Sequence, residues 1–306
     1  MKIGIIGSGS FGCALAYVFS KKNSVKLWSY TKEECDSINN LHCCMLSPNI
    51  KLPLSVTCSE KYEEVVKNSD IIIYASPSNV LRSTCEKIKE YITNQDFVIA
   101  AKGMEEDKVL SLVAKEELGI NISVISGPAH AEEIASDVLT FVEYSGNVHL
   151  KDILETEFFK LSYSQDIIGM QIGATFKNVI SLACGIAEGL GYKTNTFSYI
   201  VTEGLNEIKK IGLVLGAKES TFYGLSGLGD LLTTAFSPNS RNKRAGILFS
   251  KGKRVDDVKK EIGMIVEGIT ALNNAYLIIN KYHLDCPLIL NLYHIIYNGK
   301  DPHELI

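Results

Sequence analysis

Four places in this 306-residue sequence carry residues whose types and spacing can do chemistry. The first is Gly7-Ser8-Gly9-Ser10-Phe11-Gly12, a G-x-G-x-x-G run. In such a run the first glycine permits a tight turn, the second lets the backbone approach a pyrophosphate, and the third lets a helix meet a strand. The helix N-terminus then faces the anion with unpaired N–H groups. The second place is Lys102-Gly103, followed later by Gly127-Pro128-Ala129-His130-Ala131-Glu132-Glu133. Lys102 reads as a functional cation or as an exposed turn lysine, and His130, alone in a first helical turn, as a cap or packing residue more readily than a catalyst. The third is Lys177-Asn178. Lys177 is the only charged residue between Asp166 and Glu188 in a stretch that is otherwise mostly apolar. Burial disfavours an ammonium and lowers its pKa toward the range useful for proton transfer, so such a lysine must be neutralised, paired or used. A purely structural salt bridge is the alternative. The fourth place is Gly227-Leu-Gly-Asp230, with Thr234 and then Ser240-Arg241-Asn242. Arg241 offers a planar fork matched to phosphate, and Ser240 and Asn242 add neutral donors; a solvated loop is the competing reading.

These residues need elements to position them. Ile3 to Ile6 is a short apolar run that reads as a buried strand leading into the glycine turn, and Phe11 to Phe19 is the helix that follows. Val25 to Trp28 is a second strand, and residues 33 to 60 read as irregular, interrupted by Pro48 and Pro53. A helix over Tyr62 to Lys67 then precedes the strand Asp70 to Ala75. The rhythm repeats: helix Val80 to Ile92, opened by Pro77, strand Phe97 to Ala101, helix Val109 to Leu118, strand Ile122 to Ser126. Alternating strands and helices imply an α/β fold, a Rossmann-type doubly wound parallel sheet with ligands at the carboxyl ends of its strands. Leu139 to Tyr144 and Phe158 to Tyr163 are candidate edge strands. Beyond Ser162 to Asp166 the β signal stops, which predicts a dinucleotide-binding domain over 1–165 and an all-helical C-terminal domain over 166–306.

The segment Ile167 to Leu190 is long enough to cross a membrane and contains Gly169-x-x-x-Gly173. Gln171, Thr175, Lys177, Asn178 and Ser181 in its middle make insertion expensive, so a buried helix and no stable membrane insertion are expected. The net charge of −4, from 31 basic and 35 acidic residues, argues against nucleic-acid binding. Eight scattered cysteines without a C-x-x-C pair suggest reduced thiols and no metal site. The strand after Met1-Lys2 is too short for a signal-peptide core, so a cytoplasmic location is expected. At the end of the second strand, where an NAD site places Asp or Glu for the ribose 2'-hydroxyl, stand Ser29, Tyr30, Thr31 and Lys32, with no carboxylate before Glu33. A strict NAD preference is therefore not expected. Lys32 reads equally as a group near a 2'-phosphate or as a solvated first-turn lysine, and the choice between NAD and NADP stays open.

Taken together, the segments resemble bacterial-type NAD(P)-dependent glycerol-3-phosphate dehydrogenases. The resemblance runs in order through Gly7 to Gly12, Leu27-Trp28, Lys102-Gly103, Gly127-Pro128 with His130-Ala-Glu132, Gly173-Ala174 with Lys177-Asn178, Gly227 to Asp230, Ser240 to Asn242 and Val266-Glu-Gly268. It implies reversible reduction of dihydroxyacetone phosphate to sn-glycerol 3-phosphate by NAD(P)H, supplying the glycerol backbone for phospholipid synthesis, in a cytoplasmic homodimer. By the same resemblance Lys177 is the proton donor and acceptor, Lys102, Asp230 and Thr234 position or polarise the reacting centre, and Asn178 lies beside them. Ser240, Arg241 and Asn242 would hold the substrate's phosphate and glycerol end, with Gly127 and Ala129 also on the substrate side. Gly7, Ser8, Gly9, Ser10, Phe11, Gly12, Thr31, Lys32, Lys102, Ala131, Arg241, Ile265 and Glu267 would serve the cofactor. The sequence departs from the family pattern at Thr31, where an arginine is usual, at Ala129, where a serine is common, and at Glu203, where the family carries an arginine; it also ends soon after Gly299-Lys300. The alternatives are another two-domain NAD(P)-dependent reductase of the ketopantoate-reductase kind, with Ser240 to Asn242 on a carboxylate, and a non-catalytic dinucleotide-binding redox sensor. Retention of Lys102, Lys177, Asp230 and Arg241 together speaks against the sensor.

Overall fold

The computed structural model describes residues 1–237 and 240–306. They form two units: Met1–Lys102 with Leu110–Ile167, and Gly103–Val109 with Ile168–Ile306.

The first unit is built on a sheet whose central strands are buried on both faces, as a parallel sheet covered by helices requires. In chain order its elements are β1 (Lys2–Ile6), α1 (Ser10–Phe19), β2 (Ser24–Trp28), α2 (Lys32–Asp36), β3 (Thr57–Ser59), α3 (Tyr62–Val66), β4 (Ile71–Tyr74), α4 (Leu81–Ile88) and β5 (Asp96–Ile99). After the short hairpin β6 (Met104–Glu105) and β7 (Lys108–Val109), which groups with the second unit, come α5 (Leu110–Leu118), β8 (Ile122–Ser126), α6 (Ala131–Ile134), β9 (Thr140–Ser145), α7 (Leu150–Leu154) and β10 (Phe159–Tyr163). The strand order is β10-β9-β8-β5-β4-β1-β2-β3. Every neighbouring pair is parallel except β8 with β9, which is antiparallel. This is the doubly wound sheet; both candidate edge strands form, as β9 and β10, but only β10 lies at an edge, because β9 pairs with β8 as well as β10.

Two expectations for residues 33–60 are corrected. The segment is not wholly irregular: it holds most of α2, a π-helical turn at Ser37–Leu41 and β3, which pairs with β2. Nor are all cysteines reduced, because Cys35 of α2 and Cys58 of β3 are joined in a disulfide, with Cα atoms 5.1 Å apart. Pairing β3 to β2 brings Cys58 to Cys35 across 23 residues of sequence, within the Cα span a disulfide accepts. The other six cysteines are free and buried.

The second unit is helical: α8 (Ile167–Gly189), α9 (Thr194–Val214), α10 (Asp230–Phe236), α11 (Arg241–Phe249), α12 (Val255–Ile262), α13 (Glu267–Tyr282) and α14 (Pro287–Asn298). Helix α8 is long and apolar enough to cross a membrane, yet 89% of its most apolar window is buried inside the protein. Glycines let its neighbours approach: a Cβ at Gly173 would lie 2.5 Å from the Ser226 carbonyl oxygen, and one at Gly185 would overlap the Lys243 carbonyl. Glu207 on α9 is almost wholly buried, and both its carboxylate oxygens accept N–H groups of Leu288 and Ile289 in the first turn of α14, at 2.8 Å each. A side chain of one helix thus caps another, whose first donors have no partner within their own helix. The β6–β7 hairpin is tied to α13, through Asn274 to the Met104 carbonyl and through the Lys281–Asp107 ion pair at 2.6 Å.

Candidate active site

In the first unit the glycine run forms the turn from β1 into α1. Gly7 has φ +122°, a conformation that favours glycine, and its N–H donates to the Trp28 carbonyl at 3.0 Å. A Cβ at Gly12 would overlap the Gly7 carbonyl oxygen, whereas one at Gly9 would meet nothing within 4 Å. The loop is therefore closed on its protein side and open at Gly9. Helix α1 has Gly9 as its N-cap, no side-chain cap and no acidic residue in its first turn. Its first intrahelical bond comes from the Cys13 N–H to the Gly9 carbonyl, which leaves the N–H groups of Ser10, Phe11 and Gly12 without a helical acceptor. A turn with an open glycine face and bare helical donors fits a pyrophosphate. Phe11 packs against the sheet core, and the Ser10 hydroxyl meets that of Ser47 at 2.5 Å.

Around this turn lies a carboxylate that sequence reasoning missed. Glu34 Oε2 accepts from the Ser8 hydroxyl within the loop and from the Ser29 hydroxyl at 2.6 Å, and the two serines are themselves 2.8 Å apart. Thr31-x-x-Glu34 matches a capping-box signal, and Thr31 does cap α2, its hydroxyl oxygen accepting from the Glu34 N–H. The reciprocal half is missing, since the Glu34 carboxylate is turned to Ser8 and Ser29 while Ser29 Oγ accepts the Thr31 N–H. Lys32 is exposed and paired with Asp36 on its own helix. Lys102 Nζ donates to the Gly127 carbonyl at 3.3 Å. Gly127 has φ +146°, and a Cβ there would press on Val142 of β9. Ala129 and Ala131 are half-buried against the sheet core, and His130 is the N-cap of α6 without a side-chain cap bond.

In the second unit the candidates converge. Lys177, 6% exposed, forms an ion pair with Asp230, 1% exposed. Asp230 opens α10 directly after the π-helical turn Leu225–Gly229, the turn that Gly173 of α8 allows to come close. Thr234, one helical turn on, spends its hydroxyl on the Asp230 carbonyl at 2.9 Å. Asn178 is held from both sides: its Nδ2 donates to Glu267 at 3.1 Å, and its Oδ1 accepts from Asn242 at 2.8 Å. Asn242 Oδ1 in turn accepts the Gly268 N–H at the start of α13, at 2.9 Å. Ser240 caps α11 and shares a 2.9 Å hydroxyl contact with Ser181 of α8, a second residue that the sequence reading did not single out as functional. Arg241 is half-buried in the first turn of α11, and among the described residues its guanidinium makes no hydrogen bond or ion pair. Ile265 is 54% exposed and stands outside this hydrogen-bonded set. A buried ion pair next to an ordered amide network and a guanidinium with open donors can move a proton and hold an anion.

Residues 2–148 match the N-terminal family model of NAD-dependent glycerol-3-phosphate dehydrogenase, and residues 166–306 match its C-terminal model. Among curated relatives, the glycerol-3-phosphate dehydrogenase [NAD(P)+] of Fusobacterium nucleatum is 39% identical over 320 aligned positions, which cover 100% of this chain and 95% of the relative. The protein of the same name from Clostridium botulinum (strain Eklund 17B) is 40% identical, covering 98% and 94%. The crystal structure of glycerol-3-phosphate dehydrogenase from Coxiella burnetii superposes with a TM-score of 0.94 at 28% identity, covering 99% of this chain and 97% of that one.

Proposed function

The chain belongs to the NAD-dependent glycerol-3-phosphate dehydrogenase family, and on that premise we propose how its own residues carry the reaction. The enzyme is an NAD(P)-dependent oxidoreductase that interconverts dihydroxyacetone phosphate and sn-glycerol 3-phosphate. The observation that carries the mechanism is the buried Lys177–Asp230 pair. A bound nicotinamide dinucleotide would supply the hydride chemistry that makes or breaks the C–H bond at the carbonyl carbon. As that bond forms, the ammonium of Lys177 gives a proton from Nζ to the carbonyl oxygen, and in the oxidation direction the neutral amine removes it. Asp230 pairs with that ammonium and fixes the direction of Nζ. Asn178, held by Asn242 and Glu267, keeps the neighbouring turn of α8 in register, and Thr234 steadies the first turn of α10 through the Asp230 carbonyl.

The glycine run, the α1 N-terminus and Phe11 hold the dinucleotide, with Ala131 as a further contact in the same unit. Ser240 and Arg241 at the α11 N-terminus hold the substrate phosphate, which supplies binding energy remote from the reacting carbon. Asn242 takes a supporting part, because its amide is engaged by Asn178 and Gly268. The protein acts in the cytoplasm as a homodimer without membrane insertion, feeding glycerol phosphate to phospholipid synthesis. The burial of α8 supports the absence of insertion, and light scattering on the purified protein tests the dimer.

Initial rates with each of NADH and NADPH against dihydroxyacetone phosphate and ketopantoate test the whole reading. Turnover of dihydroxyacetone phosphate is expected, and its absence with both cofactors would overturn the assignment. Replacing Lys177 by Met should lower kcat by roughly 10²- to 10⁴-fold, the usual contribution of a positioned acid–base group. Unchanged turnover would remove Lys177 from the mechanism while leaving the substrate in place.

A further inference from the structure

We propose that Glu34 makes this an NAD-preferring site: its carboxylate accepts from the adenosine ribose 2'-hydroxyl and repels a 2'-phosphate. The inference rests on the dehydrogenase reading above and narrows it to one cofactor. Ser29 is the first residue after β2, fixed by its N–H to the Ser59 carbonyl at 3.1 Å. Ser8 lies inside the glycine turn. Both hydroxyls donate to the same carboxylate oxygen of Glu34, so the carboxylate is pinned where the glycine turn meets the end of β2. A Rossmann-type unit places its ribose-reading acid at that junction. Here the acid arrives from the first turn of α2 rather than from the strand end.

The hydrogen bonding also sets what the carboxylate has left to offer. Oε2 takes both serine hydroxyls, and among the described residues none donates to Oε1, which remains an acceptor for a ribose hydroxyl. A 2'-phosphate brings only acceptors and further negative charge to the same place, where a carboxylate repels it. The cation that could have compensated is used elsewhere. Lys32 is paired with Asp36 at 2.5 Å on the exposed face of α2, and Thr31 is spent as the α2 cap. Ser8 and Ser29 are almost fully buried, so the support that aims Glu34 is rigid.

Trp28, the single tryptophan, sits at the end of β2 beside Ser29 and reports on this junction. Fluorescence titration of the full chain with NADH and with NADPH, checked by calorimetry, gives two dissociation constants. NADH should bind at least tenfold more tightly. In Glu34→Gln, which keeps the shape and removes the charge, the ratio should fall at least fivefold, chiefly through tighter NADPH. Ser29→Ala, which frees the carboxylate from one of its two supports, should narrow the ratio in the same direction. Equal or tighter NADPH binding by the wild type would overturn the role of Glu34 and leave the dehydrogenase assignment standing; this ratio is read whether or not either variant folds. A ratio unchanged in a folded Glu34→Gln would overturn it too. Binding of neither dinucleotide would overturn both this inference and the reading on which it rests.

Discussion

Removing one member of the Lys177–Asp230 pair leaves the other charge buried without its ion-pair partner, which typically costs about 3–5 kcal/mol. Lys177→Met and Asp230→Asn should therefore each destabilise by about that much in urea unfolding. The double variant should cost less than the sum, because it removes both charges together; strict additivity would mean that the pair is not coupled in the fold. Arg241 acts differently. Its guanidinium has no partner among the described residues, so Arg241→Lys keeps the charge, loses the fork, and should raise KM for dihydroxyacetone phosphate roughly tenfold with kcat little changed, the equivalent of about 1.4 kcal/mol of binding. A fall in kcat alone would place Arg241 at the reacting centre instead. Residues of these two kinds were unequally legible. Lys177 stood out because a lone charge in an apolar helix demands a use, and Asp230 as the carboxylate closing a glycine-rich turn, its role coming from the family resemblance. Glu34 was hidden: six residues past the strand end, it reads as half of a capping box with Thr31, and only the folded β2–α2 turn shows that its carboxylate leaves the helix for Ser8 and Ser29.

Elements carry the site through close approaches that sequence periodicity does not record. Gly173 lets α8 lie against the turn that delivers Asp230, so Gly173→Ala should displace Leu225–Gly229, cost about 1–3 kcal/mol by overpacking, and depress kcat in protein that remains folded; retention of full activity would show that the turn yields freely. Glu207 links α9 to α14 and gives the fold a pH signature. Burial raises its carboxyl above the ordinary value, opposed by the N–H groups of Ile289 and Leu288. Because the folded state takes up this proton before the unfolded chain does, the associated stability is full below the ordinary glutamate pKa of about 4.3 and is lost as pH rises through the raised folded value. Ionisation of Glu207 thus lowers stability relative to its protonated form. In Glu207→Gln, which cannot titrate, that component is absent, so the wild-type advantage over the variant should grow as pH falls from 8 toward 4.5; a flat difference would show that the ionised form carries no penalty. Among strands, β1, β4, β5 and β8 were legible as continuous apolar runs, whereas β3 is three residues, Thr57-Cys58-Ser59, at the sheet edge, with too little apolar sequence to announce a strand. The Cys35–Cys58 disulfide depends on that edge pairing, so it was invisible for the same reason.

At the scale of the whole molecule, the alternation of strands and helices and the later loss of β signal were enough to read an α/β unit followed by a helical one, because each depends on local periodicity. The grouping of the Gly103–Val109 hairpin with the helical unit was not readable, since it rests on bonds to Asn274 and Lys281 about 170 residues away. The first unit nonetheless carries the glycine turn, Glu34 and the only tryptophan together, and that makes a linkage test possible on the intact chain. A ligand that binds only the folded state stabilises by RT ln(1 + [L]/Kd), about 2.7 kcal/mol at a hundredfold excess over Kd. For a unit of this size that corresponds to roughly 5–10 °C in the thermal midpoint. Unfolding followed by Trp28, which is stacked on Tyr62 with centroids 4.1 Å apart, should show this rise with NADH and a smaller one with NADPH at the same concentration. Gly12→Val, whose side chain would meet the Gly7 carbonyl oxygen, should unfold at a lower temperature and gain nothing from either dinucleotide. If that variant were stabilised as much as the wild type, the dinucleotide would be binding away from the glycine turn, and the placing of the cofactor on α1 would have to be abandoned.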